Sequence, residues 1–173
     1  MVLVHVKADG EGEKQQFLYE CASSSTVDEI ADSIVEISRL QSKIQSLSFL
    51  LRSQLLTEAF KEKCPNVALS LERALSEAEA YASKEQVLHN RFLSARALRE
   101  HIKNIDKDVS FAQQQRQAAE LDPRLFSGGC EFHDDIQLYW AGKELARGKR
   151  LCDYIGANEK TKIRLAINHV QDS

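Results

Sequence analysis

The chain has 173 residues, of which 43% are hydrophobic and 28% are charged, and its formal net charge at pH 7 is -3. This length fits one core with a helical elaboration and disfavours two separate full-sized domains. The positive residues are scattered, which disfavours nucleic acid as a partner, and no stretch reaches the roughly 18 apolar residues of a membrane span.

The first predicted elements are two strands that form a hairpin. Residues 2–7 alternate, with three valines on one face, which predicts a half-buried strand rather than a secretory leader. The opposite face carries Leu3, His5 and Lys7. Residues 8–13 favour a turn, and Phe17, Tyr19 and Cys21 then recur on one face of a second strand.

A long helix is predicted to follow the hairpin. Thr26 can cap its first turn, and Glu29 stands three residues later, as in a capping box. Apolar residues recur at helical spacing far beyond the length of a small sheet, which predicts a projecting rod. The stripe consists of Val27, Ile30, Ile34, Ile37, Leu40, Ile44, Leu47, Leu51 and Leu55.

Two further helical stretches are predicted in the middle of the chain. Pro65 breaks the pattern, and Asn66 can cap a helix whose apolar side includes Leu71 and Leu75. Another stretch runs from about residue 83 to 121, with an interruption near Ser94. Its apolar positions are Leu98, Ile102, Ile105 and Val109. We therefore expect an antiparallel helical bundle or hairpin.

Strands resume near the C-terminus. Residues 122–123 and 127–129, Asp-Pro and Ser-Gly-Gly, predict a stop and a hinge. Two alternating runs follow, one ending at Trp140 and one at residues 162–167, before a polar tail from His169. Trp140 alternates in phase with Ile136 and Leu138, which favours a core or half-buried position over an exposed anchor. The predicted order is strand, strand, helix, helical insertion, strand, strand.

This order and several motifs resemble ubiquitin. Residues 138–145 read Leu-Tyr-Trp-Ala-Gly-Lys-Glu-Leu, residues 148–154 read Gly-Lys-Arg-Leu-Cys-Asp-Tyr, and residues 160–165 read Lys-Thr-Lys-Ile-Arg-Leu. The resemblance implies a β-grasp fold in which Asp153 opens a short turn and the Tyr154 hydroxyl fastens the loop. The chain does not end in Gly-Gly, so we expect a ubiquitin-like domain and not a modifier. Tyr139, Arg164 and Ala166 alter the surface by which ubiquitin is bound.

A second resemblance covers more of the chain. Residues 2–7, 78–87, 137–145, 149–154 and 158–163 are similar to the Kurly family of cilia- and flagella-associated proteins, most specifically in the C-terminal block. The resemblance implies a role in ciliary motility, in cytoplasmic assembly of outer dynein arms and in the orientation of motile cilia, without known catalytic activity. Longer family members have a more extended middle and a charged tail, so contacts made by those parts are in question.

Two sets of residues are candidates for partner binding. The apolar positions Leu47, Leu51 and Leu55 either seal the helices against one another or remain open as a groove for a partner helix. A run of cations in the C-terminal half either forms a solvated basic face or meets an acidic partner. These cations are Lys143, Arg147, Lys149, Arg150, Lys160, Lys162 and Arg164.

Chemistry other than binding has little support in the sequence. The four cysteines are far apart and lack a Cys-x-x-Cys pair, which predicts reduced, mostly packed thiols. The glycines do not form a phosphate loop. Residues 133–135, His-Asp-Asp, could hold a cation weakly, but an acidic loop is the commoner explanation. We expect no enzyme, no cofactor and no metal.

The combined prediction is an α+β protein with a ubiquitin-like β-grasp, residues 1–39 and 130–173, split by a helical insertion at 40–129. Its expected function is that of an interaction protein for motile cilia or flagella that supports outer dynein arm assembly. Its expected locations are the cytoplasm, the cilium or flagellum and the basal body. Expected partners are dynein-arm assembly factors or axonemal proteins, not nucleic acid or membrane. The alternatives are a structural component of the axonemal microtubules and a ubiquitin-like regulatory binding module.

Overall fold

The computed structural model describes residues 1–8, 16–115 and 136–169, which form a mixed α+β structure. N-terminal strands are followed by a long helical region and by C-terminal strands, as predicted. Of the turn predicted at 8–13, residues 9–13 lie outside the described residues, whereas Ala8 is the last residue of the first strand. Three other predicted features also lie outside: the stop and hinge at 122–129, the His-Asp-Asp sequence at 133–135 and the tail beyond 169. No helix in the described ranges has the length and apolarity needed to cross a membrane.

In the described ranges, five strands form one mixed sheet in the order β2-β1-β5-β3-β4. Strands β1 and β5 are parallel, whereas the β1–β2, β3–β5 and β3–β4 pairs are antiparallel. The strands are β1 (Val2–Ala8), β2 (Gln16–Cys21), β3 (Ile136–Trp140), β4 (Lys143–Glu144) and β5 (Lys162–His169). The last strand in the sequence therefore occupies the centre of the sheet, beside the first.

The predicted capping box at the start of the long helix is confirmed. The Glu29 N–H donates to Oγ1 of Thr26 (3.2 Å), and the Thr26 N–H donates to Oε2 of Glu29 (3.1 Å). These reciprocal bonds satisfy backbone groups that a helix N-terminus leaves without an intrahelical partner. The helix, α1, runs without interruption from Val27 to Gln54.

The helical region after α1 differs in part from the prediction. A short helix α2 (Glu58–Lys63) was not predicted, and Thr57 caps it through Oγ1, which accepts from the Phe60 N–H (3.3 Å). Helix α3 (Pro65–Ala82) begins at the proline, so the expectation that Asn66 caps it is wrong. Proline suits the first helical position, because its φ is already helical and its missing N–H would have no partner there.

The prediction of helix from residue 83 to 94 is also wrong. Lys84–Val87 is a 3₁₀ turn capped by Ser83, and Phe92 then forms a parallel bridge with Leu18 of β2. The Leu93 N–H donates to the Leu18 carbonyl (2.8 Å), so this segment adds backbone pairing to the edge of the sheet. Helix α4 (Ala95–Gln115) starts immediately afterwards. The predicted continuation of this stretch over residues 116–121 lies outside the described residues.

The described residues divide into two compact units. The first, which we call the sheet unit, contains residues 1–39, 83–95 and the C-terminal strands. The second, the helical unit, contains residues 40–82 and the helix from residue 96.

The core of the sheet unit contains the buried valines of β1, the apolar residues of β3 and β5, and the first apolar positions of α1. The core of the helical unit consists of the buried stripes of the rest of α1, α3 and α4.

Candidate functional site

The three leucines proposed for partner binding are buried in the helical unit. Leu47, Leu51 and Leu55 are 1%, 0% and 5% exposed. Their burial supports the alternative in which the stripe packs the helices against one another, and it contradicts the alternative of an open groove for a partner helix. Burial of each such side chain contributes about 2 kcal/mol to folding, so these leucines contribute to the stability of the unit.

The exposed apolar residues of the helical unit are different ones. Phe49 of α1 is 74% exposed, Leu69 of α3 is 59% exposed and Phe111 of α4 is 50% exposed. These residues lie off the apolar stripes and were therefore not predicted from the sequence. A signal was present, since each of these residues lies two positions away from a buried member of its stripe and so falls on another side of the helix.

Arg147 is engaged within the sheet unit. Its guanidinium lies 3.4 Å from Oδ1 of Asp28 and also donates to the Ile136 carbonyl (3.0 Å). Oδ2 of the same aspartate accepts from the Gly148 N–H (2.9 Å), and the Lys149 carbonyl accepts from the Val27 N–H (2.8 Å). These contacts tie the loop after β4 to the first turn of α1, so Arg147 acts as a structural clamp.

The loop that follows is also internally bonded. The Tyr154 hydroxyl accepts from the Ala146 N–H (2.8 Å), and Oδ2 of Asp153 accepts from the Arg150 N–H (2.9 Å). The ammonium of Lys149 lies 5.8 Å from the centre of the Tyr154 ring. The predicted fastening role of Tyr154 and turn role of Asp153 are thus confirmed, and Lys149 and Arg150 belong to this loop.

The candidate cations do not form a single cluster. Lys143 of β4 is paired with Trp140, whereas its neighbour Glu144 is paired with Tyr139. Because side chains alternate along a strand, Lys143 and Tyr139 are on opposite faces of the sheet. Lys162 and Arg164 of β5 are both exposed and share one face, since they are two residues apart.

That face of the sheet, which we call the open face, brings together residues from all three central strands. The register places His5 opposite Arg164 and Leu3 opposite Lys162, while Lys7 and Tyr139 flank Ala166. Alternation in the sequence predicts that Leu3, His5 and Lys7 share one face of β1, but it does not connect them with the β5 cations. The pairing of two strands more than 150 positions apart leaves no pattern in the sequence of either strand.

A depression of about 380 Å³ lies in the open face. It is lined by His5, Lys7, Tyr139, Ala141, Gly142, Arg164, Leu165 and Ala166. The turn between β3 and β4 forms one wall, where Ala141 and Gly142 have φ of 50° and 81°. Nε2 of His5 donates to Oε1 of Gln16 (3.1 Å), and the Tyr139 hydroxyl donates to Oε1 of Gln137 (2.8 Å), so both rings are held in place.

The sulfur and carboxyl groups of the sheet unit have structural surroundings. Burial raises the pKa of the Cys21 thiol to about 11, so this thiol is protonated at neutral pH and a poor nucleophile. Glu159 accepts from both the hydroxyl and the N–H of Ser23, and these bonds lower the pKa of its carboxyl group. Within the described ranges, no three His, Cys, Asp or Glu side chains gather in a way that could hold a metal ion.

Comparisons with known proteins relate the chain to one family. Residues 136–173 match the family model described as Cilia- and flagella-associated protein 298. The chain is 25% identical to the rat protein of that name over 223 aligned positions, which cover 96% of this chain and 76% of the rat protein. It is 26% identical to Cilia- and flagella-associated protein 298-B of Xenopus laevis over 208 positions, which cover 96% of this chain and 74% of that protein.

A shorter alignment is much closer. The chain is 63% identical to Cilia- and flagella-associated protein 298 of zebrafish over 35 residues, which cover 20% of this chain and 12% of the zebrafish protein. The matched family segment contains β3, β4, β5 and the clamped loop between them. No solved structure matches the chain.

Proposed function

We propose that the chain is a member of the cilia- and flagella-associated protein 298 family and acts without catalysis as an interaction protein for motile cilia. Its similarity to relatives of that name over 96% of its length is the observation that carries the proposal. The Kurly resemblance points in the same direction. The proposed role is support of outer dynein arm assembly in the cytoplasm, before the arms reach the cilium.

We propose that the sheet unit is a ubiquitin-like β-grasp domain. The support is its topology: a hairpin followed by a helix, then β3, β4 and a last strand inserted in parallel beside the first. The fastening of the loop by Tyr154 adds to this support. The domain is discontinuous, residues 1–39 and 130–173, and the helical insertion occupies 40–129. Residues 83–95 of the insertion cluster with the sheet.

A binding role suits the chemistry of the sheet unit better than catalysis does. Cys21 is buried and its raised pKa keeps it protonated. The hydroxyl group of Ser23, which is only 6% exposed, donates a hydrogen bond to the Glu159 carboxylate and so connects two loops. The side chains exposed on the open face of the sheet include the cations Lys7, Lys162 and Arg164, which suits recognition of another macromolecule.

Localisation and partner recovery from ciliated cells test the role. The tagged chain is expressed in cells that lack the endogenous protein, and the cytosol is separated from demembranated axonemes. We expect the chain in the cytosol with outer-arm dynein chains or their assembly factors, and we expect it to restore outer arms counted by electron microscopy. Recovery with axonemal tubulin, without restored arms, would instead favour the structural alternative.

A matched variant makes that experiment specific. Leu51→Glu introduces a charge at a buried position and destroys the helical unit, whereas Phe49→Glu changes an exposed residue of the same helix. If both variants restore outer arms equally, the helical unit has no part in the role.

A further inference from the structure

We propose that the open face of the sheet binds an acidic peptide segment that carries one large apolar side chain. The inference deepens the proposed function, on which it rests for its biological setting, because it names the surface and the chemistry of the partner. It depends on three observations: the spacing of the cations, their lack of internal partners, and an exposed aromatic ring at one end of the same face.

The cations are spaced as the side chains of a bound strand would be. Lys162 and Arg164 are two residues apart on β5, which places them about 7 Å from one another, and His5 lies on the adjacent strand, about 5 Å from Arg164. Alternate side chains of an extended peptide have the same spacing of about 7 Å. Carboxylates at alternate peptide positions can therefore meet Lys162 and Arg164 together.

These cations have no internal counter-charge among the residues that the structure describes. Arg147 has Asp28 and Arg52 has Glu79, but Lys7, Lys162 and Arg164 form neither an ion pair nor a side-chain hydrogen bond there. Glu20 and Glu144, the acidic residues of the open face in the described ranges, are on the outer strands β2 and β4. The centre of the face is consequently positive, although the whole chain has a net charge of -3.

An exposed aromatic residue extends the face on the β2 side. Phe92 is bridged to Leu18, and paired residues in a sheet share a face, so one row runs from Phe92 through Leu18 and His5 to Arg164. Leu18 is 5% exposed, whereas Phe92 is 47% exposed. Arg164 and Phe92 are three strand spacings apart, about 14 Å across the sheet. A peptide whose carboxylates meet Lys162 and Arg164 along β5 must therefore cross β1 and β2 to place its apolar side chain on the Phe92 ring, which removes apolar area from water.

A peptide explains this arrangement better than a nucleic acid does. Phosphate-backbone binding requires several neutralised phosphates along a longer basic track, and the open face offers few cations with acidic residues on either side. A peptide with carboxylates and one apolar side chain matches both ends of the row, because the carboxylates suit Arg164 and the apolar side chain suits Phe92. Charge complementarity of this kind mainly determines specificity and association rate, so we expect a salt-sensitive interaction of moderate affinity.

The test is fluorescence anisotropy with the purified full chain and a labelled peptide of about ten residues, which spans about 33 Å when extended. The peptide has Glu at alternate positions and one central Phe. One control peptide has Gln in place of Glu, and another has Ala in place of Phe. We expect binding of the first peptide, weakening as the salt concentration rises through roughly 0.1 M, and at least roughly fivefold weaker binding of both controls.

Variants locate the site. Arg164→Glu and Lys7→Glu should each weaken binding by roughly fivefold or more, and Phe92→Ala should weaken binding of the Phe peptide but not of its Ala control. The matched control is Lys103→Glu, which makes the same charge change at an exposed position of α4 in the helical unit and should alter affinity by less than roughly twofold. Circular dichroism verifies that each variant is folded.

Three results would overturn the inference. They are no binding by the native chain at low salt, equal binding of the Gln peptide, and an effect of Lys103→Glu as large as that of Arg164→Glu. None of these affects the restoration of outer dynein arms in cells. Conversely, peptide binding in vitro together with failure to restore the arms would retain the site and reject the proposed function.

Discussion

The contacts inside the sheet unit differ from the contacts inside the helical unit. In the helical unit, apolar stripes on successive helices form the core, and the polar contacts include exposed ion pairs such as Arg52 with Glu79. One polar contact is buried there, where Nε2 of Gln41 donates to the Ala82 carbonyl (2.7 Å). The sheet unit also has an apolar core, but in addition hydrogen bonds join its N-terminal segment to its C-terminal segment, between residues far apart in sequence. Asp28 and Gly148 are 120 positions apart, and Ser23 and Glu159 are 136 positions apart.

This difference shows what periodicity can reveal. A stripe of apolar residues is a local property, so it identifies the residues that stabilise the helical unit. A polar contact between distant segments depends on where the chain returns, so it leaves no periodic signal. The cations and exposed rings that can contact a partner are those that take part neither in an apolar stripe nor in a polar contact between distant segments.

The largest expected effect distinguishes buried from exposed apolar residues on one helix. Leu51→Ala should lower the free energy of unfolding by about 3 kcal/mol, because it leaves a cavity at a fully buried position. Phe49→Ala, two residues away and 74% exposed, should change it by less than about 0.5 kcal/mol. Urea unfolding followed by circular dichroism measures both. Equal losses would mean that the burial pattern does not describe the helical unit.

A smaller effect is expected from the clamp in the sheet unit. Asp28→Ala removes the acceptor for the Gly148 N–H and the partner of Arg147, and should cost about 1 kcal/mol, since both charged groups are about half exposed. Asp32→Ala removes an exposed acidic residue from the next turn of the same helix and serves as the control. If the two variants unfold at the same urea concentration, the distant polar contacts do not stabilise the sheet unit.

The exposed ion pair of the helical unit should contribute less. A double-mutant cycle with Arg52→Ala and Glu79→Ala should give a coupling free energy of about 0.5 kcal/mol, because both side chains are about 40% exposed and screened by solvent. The cycle is measured by urea unfolding at low and at high salt. A coupling as large as the effect of Asp28→Ala would remove the contrast between the two units.

The contact between Ser23 and Glu159 should appear in the pH dependence of stability. The hydrogen bonds from Ser23 lower the pKa of the Glu159 carboxyl group below its ordinary value of 4.5, so the ionised form is favoured in the folded protein. Its contribution is therefore fully present above pH 4.5 and is lost as the pH falls through the folded pKa.

We expect the difference in unfolding free energy between the native chain and Glu159→Gln to shrink on acidification. Glu77→Gln, at an exposed position of α3, should show no such trend. Thermal unfolding in a series of buffers measures both variants. A difference that stays constant down to acidic pH would mean that the Glu159 bonds do not favour its ionised form.

The elements that could be predicted are those with local causes. The capping box of Thr26 and Glu29 involves residues three positions apart, and the strands follow from strict alternation. The segment at 83–94 was predicted as helix, although the apolar positions that supported the prediction, from Leu98 to Val109, all lie after it. Its Leu93 N–H pairs instead with Leu18, a choice that only the position of β2 explains.

The candidate site was predictable only in part. Arg164 and Lys162 were identified from composition, but Arg147 was placed with them although Asp28 engages it. His5 and Lys7 join Arg164 because β1 and β5 are paired in parallel, and Phe92 joins them through its bridge to Leu18. The register of β1 with β5 and the bridge of Phe92 with Leu18 join residues far apart in the chain, which alternation within each strand does not reveal.

The central position of β5 has a consequence for synthesis of the protein. The N-terminal hairpin leaves the ribosome well before β5, so the edge of β1 that is not paired with β2 lacks a neighbour until residues 162–169 emerge. At about 5–20 residues per second, that interval is roughly 8–30 s, during which the backbone groups on one edge of a valine-rich strand are unpaired. Such an edge can pair with other chains. The nascent protein is therefore expected to need a chaperone during translation, and truncated products should aggregate.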